Sequence, residues 1–240
     1  MTWSIYITVL LLSLPGMLGT YLASRHVSPS VRNERWRKLI WYVGIVTVML
    51  TVLQSGQAIR AAAATGIAIV CWLEWQRASI WLTARLRWVG AGLLLVSLLI
   101  FVSRLYRLPG ERLITIFLMV VMFDAFSQVS GQLIGRHKLM PRISPAKTVE
   151  GLVGGVLVTG LAAWWWYDAA LLMPPMAYAR LVASAVLGAW LGDTVASWWK
   201  RRCGIKDYST LLPGQGGMLD RFDSFIGAVG VEWLSCALLS

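Results

Sequence analysis

Long apolar runs separated by short charged stretches dominate this chain, and strict alternation of apolar and polar positions is nowhere sustained. The runs cover about 3–22, 39–54, 57–73, 88–103, 113–131, 151–167, 177–196 and 224–239. Each is close to the length that carries an α-helix across a bilayer. Most show no clean amphipathic period, as expected of helices surrounded by lipid and by one another. Pro109-Gly110, Pro141, Pro145, Pro174-Pro175 and Pro213-Gly214 fall between runs, where a missing backbone amide costs least. The pattern predicts an all-α, polytopic integral membrane protein of about eight transmembrane helices. The first run has no basic stretch before it and no small-residue cleavage pattern after it, so it reads as a retained helix.

Composition agrees with this picture and excludes an ordinary soluble domain. Of 240 residues 58% are hydrophobic and 14% charged, against about 25% charged in typical globular chains. Cys71, Cys203 and Cys236 form no CxxC pair, which argues against a disulfide framework or a zinc site. The net charge of +11 is distributed unevenly: segments 24–38, 74–87, 132–150 and 197–223 hold 17 of the 22 Lys and Arg residues, and all four fall on one side of the membrane if the eight runs alternate. That asymmetry predicts an external N-terminus, basic loops in the cytoplasm and a multi-pass protein of the cell (inner) membrane. On such a protein the basic excess points to anionic lipid or phosphate ligands and not to nucleic acid. Gly131/Gly135, Gly151/Gly155 and Gly188/Gly192 are spaced for close helix packing.

Two cytoplasmic loops carry the candidate chemistry. Segment 124–151 opens with Asp124, an intramembrane acid expected to face the bundle interior or a wet cavity. It continues to Ser144, Lys147 and Thr148, donors to phosphate oxygens just before a helix expected to start near Val149. Segment 192–224 interleaves four acids with five basic residues. If its first helix continues past the bilayer, Asp193, Ser197 and Lys200 share one face, with Trp198 and Trp199 turned away as interfacial anchors. Lys206-Asp207, the flexible turn Pro213-Gly214-Gln215-Gly216-Gly217, and Asp220-Arg221-x-Asp223 follow. Asp220 and Asp223 share a helical face and repel unless a cation separates them. Acids mixed with Lys and Arg suit a metal-bound nucleotide better than a bare anion, because Mg²⁺ is held by a few carboxylates and by substrate phosphates.

In order and spacing this stretch resembles the signature of the CDP-diacylglycerol synthases, the phosphatidate cytidylyltransferases: Ser197, Lys200-Arg201, Lys206-Asp207, Pro213-Gly214, Gly216-Gly217 and Asp220-Arg221-x-Asp223 fall in register. Asp124, Gly135, His137-Lys138-Leu139, Pro141, Ser144-Pro145, Lys147-Thr148 and Gly151 resemble the upstream segment of that family, and Trp72-x-Glu74-Trp75 is a looser echo. The likeness covers roughly the C-terminal half, dividing the chain into N-terminal transmembrane helices over 1–110 and a C-terminal transmembrane catalytic region over 111–240.

The resemblance implies transfer of CMP from CTP to phosphatidate, giving CDP-diacylglycerol and pyrophosphate in phospholipid biosynthesis. Implied with it is Mg²⁺, alone or with a second cation; a homodimer is the general default for assembly. The implied catalytic set is Lys200, Arg201, Lys206, Asp207, Asp220 and Asp223, with Asp193, Asp207, Asp220 and Asp223 as metal ligands. Asp124, Ser144, Lys147, Thr148, Ser197, Gln215, Gly216, Gly217 and Arg221 are implied in substrate binding. Gln215 stands where the family carries histidine; it keeps hydrogen-bonding capacity but cannot act as a general base. Cytidylyl transfer to another lipid phosphate and a non-catalytic transporter or scaffold are the alternatives. A CDP-alcohol phosphotransferase is disfavoured, since no D-G-x-x-A-R string occurs.

Overall fold

A computed structural model of the chain describes residues 28–170 and 173–239, together with Tyr21 and Arg25. The expected first span, 3–22, lies outside the described residues apart from Tyr21. Seven long helices follow in order: α1 (Pro29–Gln54), α2 (Gln57–Ala78), α3 (Ala84–Arg107), α4 (Gly110–Ile134), α5 (Val149–Ala170), α6 (Pro175–Arg202) and α7 (Met218–Leu239). A 3-10 turn, Ser79–Trp81, continues α2. Six of these helices, α1 to α6, are long and apolar enough to cross a membrane.

The helices reach beyond the apolar runs into the charged stretches. Proline sets several starts: Pro29 at the first turn of α1, Pro109 before α4, Pro174 and Pro175 at the start of α6. Its fixed φ suits the first turn and its missing amide is one the helix leaves unpaired anyway. The start of α7 at Met218, six residues before the apolar run, brings Asp220 and Asp223 inside the helix. The end of α6 at Arg202 puts Asp193, Ser197 and Lys200 on one continuous helix.

One departure from an all-helical chain sits between α4 and α5. Strands β1 (Lys138–Met140) and β2 (Ser144–Thr148) form a small antiparallel hairpin, with Lys138 opposite Thr148 and Met140 opposite Ser144. The expected Ser-Pro-x-Lys-Thr turn is therefore a strand that runs straight into α5, whose start at Val149 agrees with expectation. A five-residue strand that contains Pro145 and abuts a helix start is too short for its period to register.

The central element is α4. Leu113 to Val120, Met122 and Phe123 are all buried, as befits a helix that is apolar on every side. The Phe225 ring of α7 meets Phe101 of α3 and Phe117 of α4 edge-on, with centroids 5.4 and 5.1 Å apart. Trp199 is a correction: it is buried, and its ring meets Trp75 of α2 edge-on at 6.1 Å. It is a packing residue, not an interfacial anchor, because α3 comes close enough at Gly90 for the indole to pass over it.

Two helix pairs are packed backbone to backbone through glycine. A methyl group added at Gly188 of α6 would lie 2.5 Å from both the Ala228 Cα and the Gly227 carbonyl oxygen of α7. One added at Gly151 of α5 would lie 2.7 Å from the Ser127 carbonyl oxygen of α4. Small residues let helices approach where dispersion, not hydrophobic exclusion, must hold them. Gly188→Ala is expected to lower the thermal unfolding midpoint in detergent by the equivalent of about 1–3 kcal/mol of overpacking. Gly92→Ala, which adds a methyl where nothing lies within 4 Å, should leave the midpoint unchanged or raise it; equal effects at the two sites would refute the tight α6–α7 contact.

Candidate functional site

At one end of the bundle the end of α2, the hairpin, the end of α6 and the start of α7 converge. Between α6 and α7 the chain makes a loop, Cys203–Gly217, that is pinned by two carboxylates. Asp220 of α7 takes Lys200 Nζ on one oxygen at 2.8 Å. Its other oxygen accepts the amides of Tyr208 at 2.7 Å and Gly217 at 2.9 Å. Lys200 is therefore the cation that lets Asp220 and Asp223 share a face, since its charge also acts on Asp223. Burial pushes the Tyr208 phenol well above its ordinary range; it stays protonated and donates to the Ala196 carbonyl at 3.3 Å.

The second carboxylate is Glu74, from the end of α2. It is 4% exposed and accepts the Met218 amide at 2.9 Å, the Leu219 amide at 2.8 Å and the Ser209 hydroxyl at 2.6 Å. An acid at a helix N-terminus pairs with amides that have no partner inside the helix and sits at the positive end of its dipole. Glycine at 217 makes room for it: a Cβ there would lie 2.6 Å from a Glu74 oxygen. Sequence reasoning noted Glu74 only in a loose tryptophan motif and did not place it in the site. A buried acid bounded by Trp72 and Trp75 was the available signal.

Around this scaffold three acids gather, with Lys147 paired to one of them. Asp124 of α4, Asp193 of α6 and Asp223 of α7 lie within electrostatic reach of one another, with Lys147, Lys200 and Arg221 as the counter-charges. Lys147 Nζ bridges to Asp193 at 2.7 Å and to the Thr194 hydroxyl at 3.4 Å. Ser197 donates to the other Asp193 oxygen at 3.1 Å. The Asp223 carboxylate accepts the following amide, Ser224, at 2.7 Å.

The remaining sequence-derived residues are dispersed. Thr148 is buried among Gly131, Gly135 and Gly151, and its hydroxyl caps α5 by accepting the Gly151 amide at 3.1 Å. Ser144 lies in β2 opposite Met140. Arg201 donates to the carbonyls of Ile143 at 3.1 Å and Ile205 at 3.4 Å, tying α6 to the hairpin turn. Lys206 and Asp207 are exposed. Gln215 is buried and donates its side-chain amide to the Lys38 carbonyl of α1 at 2.6 Å. The turn it belongs to needs glycine: Gly214 and Gly216 have φ of +73° and +85°, a region that L side chains avoid. A Cβ at Gly216 would lie 3.0 Å from an Asp220 oxygen.

Among the described residues no three His, Cys, Asp or Glu side chains converge tightly enough to cage a metal ion. The donor set nonetheless suits Mg²⁺, which is commonly held by one or two carboxylates and by substrate phosphates. Asp220 already has three donors, against two for Asp193 and one for Asp223, which leaves those two the less engaged carboxylates.

Residues 88–239, more than half of the chain, match the cytidylyltransferase family, and the chain belongs to that family. It is 43% identical over 115 residues to the phosphatidate cytidylyltransferase of Staphylococcus saprophyticus, a match covering 46% of this chain and 43% of that protein. Proteins of the same name from Staphylococcus aureus strain COL and Staphylococcus haemolyticus are each 42% identical over 113 residues, with the same two coverages. The matched stretch thus spans less than half the length of these curated relatives.

Glu74→Gln is expected to loosen the start of α7, because a neutral amide replaces a charged acceptor of three hydrogen bonds. Amide hydrogen exchange at Met218 and Leu219 should accelerate about tenfold or more, the equivalent of one charged hydrogen bond. Unchanged exchange at both would remove Glu74 from its capping role.

Proposed function

We infer that the chain transfers the cytidylyl group of CTP to phosphatidate, releasing pyrophosphate and forming CDP-diacylglycerol at the cytoplasmic face of the membrane. The observation that carries this reading is the gathering of Asp124, Asp193 and Asp223 within electrostatic reach of Lys147, Lys200 and Arg221, with Lys147 paired to Asp193, at one end of a bundle of membrane-length helices. A site for a bare anion has no use for three acids, and a solvated loop has no reason to bury Asp223. Family membership and the printed names of the relatives support the same reaction. The concentration of Lys and Arg in the segments on this side supports a cytoplasmic location.

In the reaction a phosphate oxygen of the lipid attacks the α-phosphorus of CTP, a new P–O–P bond forms, and the bond to the β-phosphate breaks as pyrophosphate departs. The attacking phosphate is largely ionised at neutral pH, so catalysis is mostly alignment and charge neutralisation. Asp193 and Asp223 are the residues to hold Mg²⁺, which when bound offsets triphosphate charge and makes the α-phosphorus more electrophilic. Lys147 reaches the site from the hairpin and pairs with Asp193, and Lys200 projects from α6 and pairs with Asp220, so two cations are at hand for the two phosphate-bearing substrates. Arg221 adds an exposed guanidinium, whose fork matches phosphate oxygens. Ser197 orients Asp193 by donating to one oxygen, and Lys147 steadies the other. Asp220 is a positioning residue: it fixes Lys200 and the loop. Acyl chains stay in the bilayer while the headgroup enters between the helix ends.

Pyrophosphate release by the purified protein with Mg²⁺, CTP and phosphatidate tests the proposal. Turnover is expected with phosphatidate, and Asp193→Asn and Asp223→Asn should each reduce it by about two orders of magnitude. Turnover confined to another lipid phosphate would overturn the acceptor, and none with any acceptor would overturn the transfer. Gln215→His should change the rate by less than about tenfold, because no titrating group is required of that position; a larger gain would show that a proton-transfer step is missing from the mechanism.

A further inference from the structure

At the other end of the bundle a cavity of about 180 Å³ opens between the start of α4, the start of α6 and the last turns of α7. It lies about 20 Å along α6 from Asp193, at 1.5 Å per residue from Arg180. Arg112, Arg180, Glu232, Ser235 and Cys236 supply its polar side chains.

The charge there is unbalanced. Glu232 is almost completely buried and already neutralised: Arg104 donates to one of its oxygens from Nε at 3.1 Å and from Nη2 at 2.5 Å, and Cys236 Sγ lies 3.3 Å from the other. Arg112 and Arg180 are half-buried, and neither has an ion pair or hydrogen bond among the described residues. The first turn of α6 adds a third source of positive potential. Its N-cap is Pro174, which offers no side-chain acceptor, and Ala177 of that turn lines the cavity. With Arg104 and Glu232 cancelling, two guanidiniums and the positive end of a 28-residue helix face one small cavity with no further counter-charge among the described residues that line it. Half-buried guanidiniums are expensive to leave unpaired, and their planar forks match phosphate oxygens in bidentate fashion. Met173, Pro174 and Leu181 form an apolar wall, suited to the carbon side of an esterified phosphate.

We propose that this cavity binds an oxyanion of the phosphate class, free or as a lipid headgroup, and that the anion ties α4, α6 and α7 together at the end opposite the transfer site. The same α6 and α7 carry Asp193, Lys200, Asp220 and Asp223 at their other ends, so the anion stabilises the helix pair on which the site is built. The proposal does not depend on the transfer reaction.

The thermal unfolding midpoint of the full chain in neutral detergent provides the test. It is measured with sodium phosphate against sodium chloride of equal ionic strength, and with added phosphatidylglycerol against phosphatidylcholine. Binding to the folded state raises the midpoint. The rise is expected to be several degrees smaller in Arg112→Gln/Arg180→Gln than in the native chain, and undiminished in Arg85→Gln, an exposed residue at the other end. A difference in the phosphate arm alone identifies a free anion, and one in the phosphatidylglycerol arm alone identifies a headgroup. Any anion bound at the transfer site raises native and variant chains alike and cancels. Should the glutamine variant not survive purification, Arg112→Lys/Arg180→Lys retains the charge and is expected to show a reduced rise. Rises equal in native and variant chains, or absent with both anions, would overturn the proposal.

Discussion

The anchoring of the α6–α7 loop by two buried carboxylates is the constraint on which the candidate site depends. A helix that starts inside a bundle leaves its first amides without partners, and in an apolar surrounding that cost is severe. Glu74 meets it from another helix by taking the amides of Met218 and Leu219. Asp220 meets it from within by turning back to Gly217 and Tyr208 while pairing with Lys200. With those bonds made, the start of α7 is fixed relative to α2 and α6, and Asp223, one turn further on, has a defined position opposite Asp193. Of the 11 acids in the chain, five at this end divide between two tasks: Glu74 and Asp220 hold the backbone, while Asp124, Asp193 and Asp223 remain near the cations.

Much of this was legible in the sequence, and the limits have physical causes. Apolar runs located the seven described helices, six of which are long and apolar enough to cross a bilayer. Their true ends were less visible, since α6 and α7 continue through charged residues that their neighbours satisfy. Asp193, Ser197 and Lys200 could be put on one face from spacing alone, and the Ser197–Asp193 bond follows from it. The capping role of Glu74 could not, because its partners lie more than 140 residues away. Thr148 reads as a phosphate donor on residue type and Gln215 as a substrate contact by resemblance; in the fold the first caps α5 and the second holds the loop to α1. Trp199 followed from composition rules for membrane interfaces, and packing against Trp75 overrode them.

The two ends of the bundle differ in how positive charge is used. At the transfer end, cations are interleaved with acids, which lowers net potential and favours a metal-bound polyphosphate over a simple anion. At the far end, Arg104 neutralises Glu232 and leaves Arg112 and Arg180 uncompensated, which favours a bare oxyanion. Lys and Arg residues thus enter two local arrangements with different ligand chemistry.

The central claim is that the α-phosphate of CTP, with its nucleoside, becomes part of the lipid. Parallel reactions with CTP labelled at the α- or the γ-phosphorus, followed by separation of lipid from aqueous products, test it directly. The account predicts that α-label moves into the lipid fraction while γ-label appears only in pyrophosphate. Label from the γ-position in the lipid, or α-label that never leaves the aqueous phase, would contradict it.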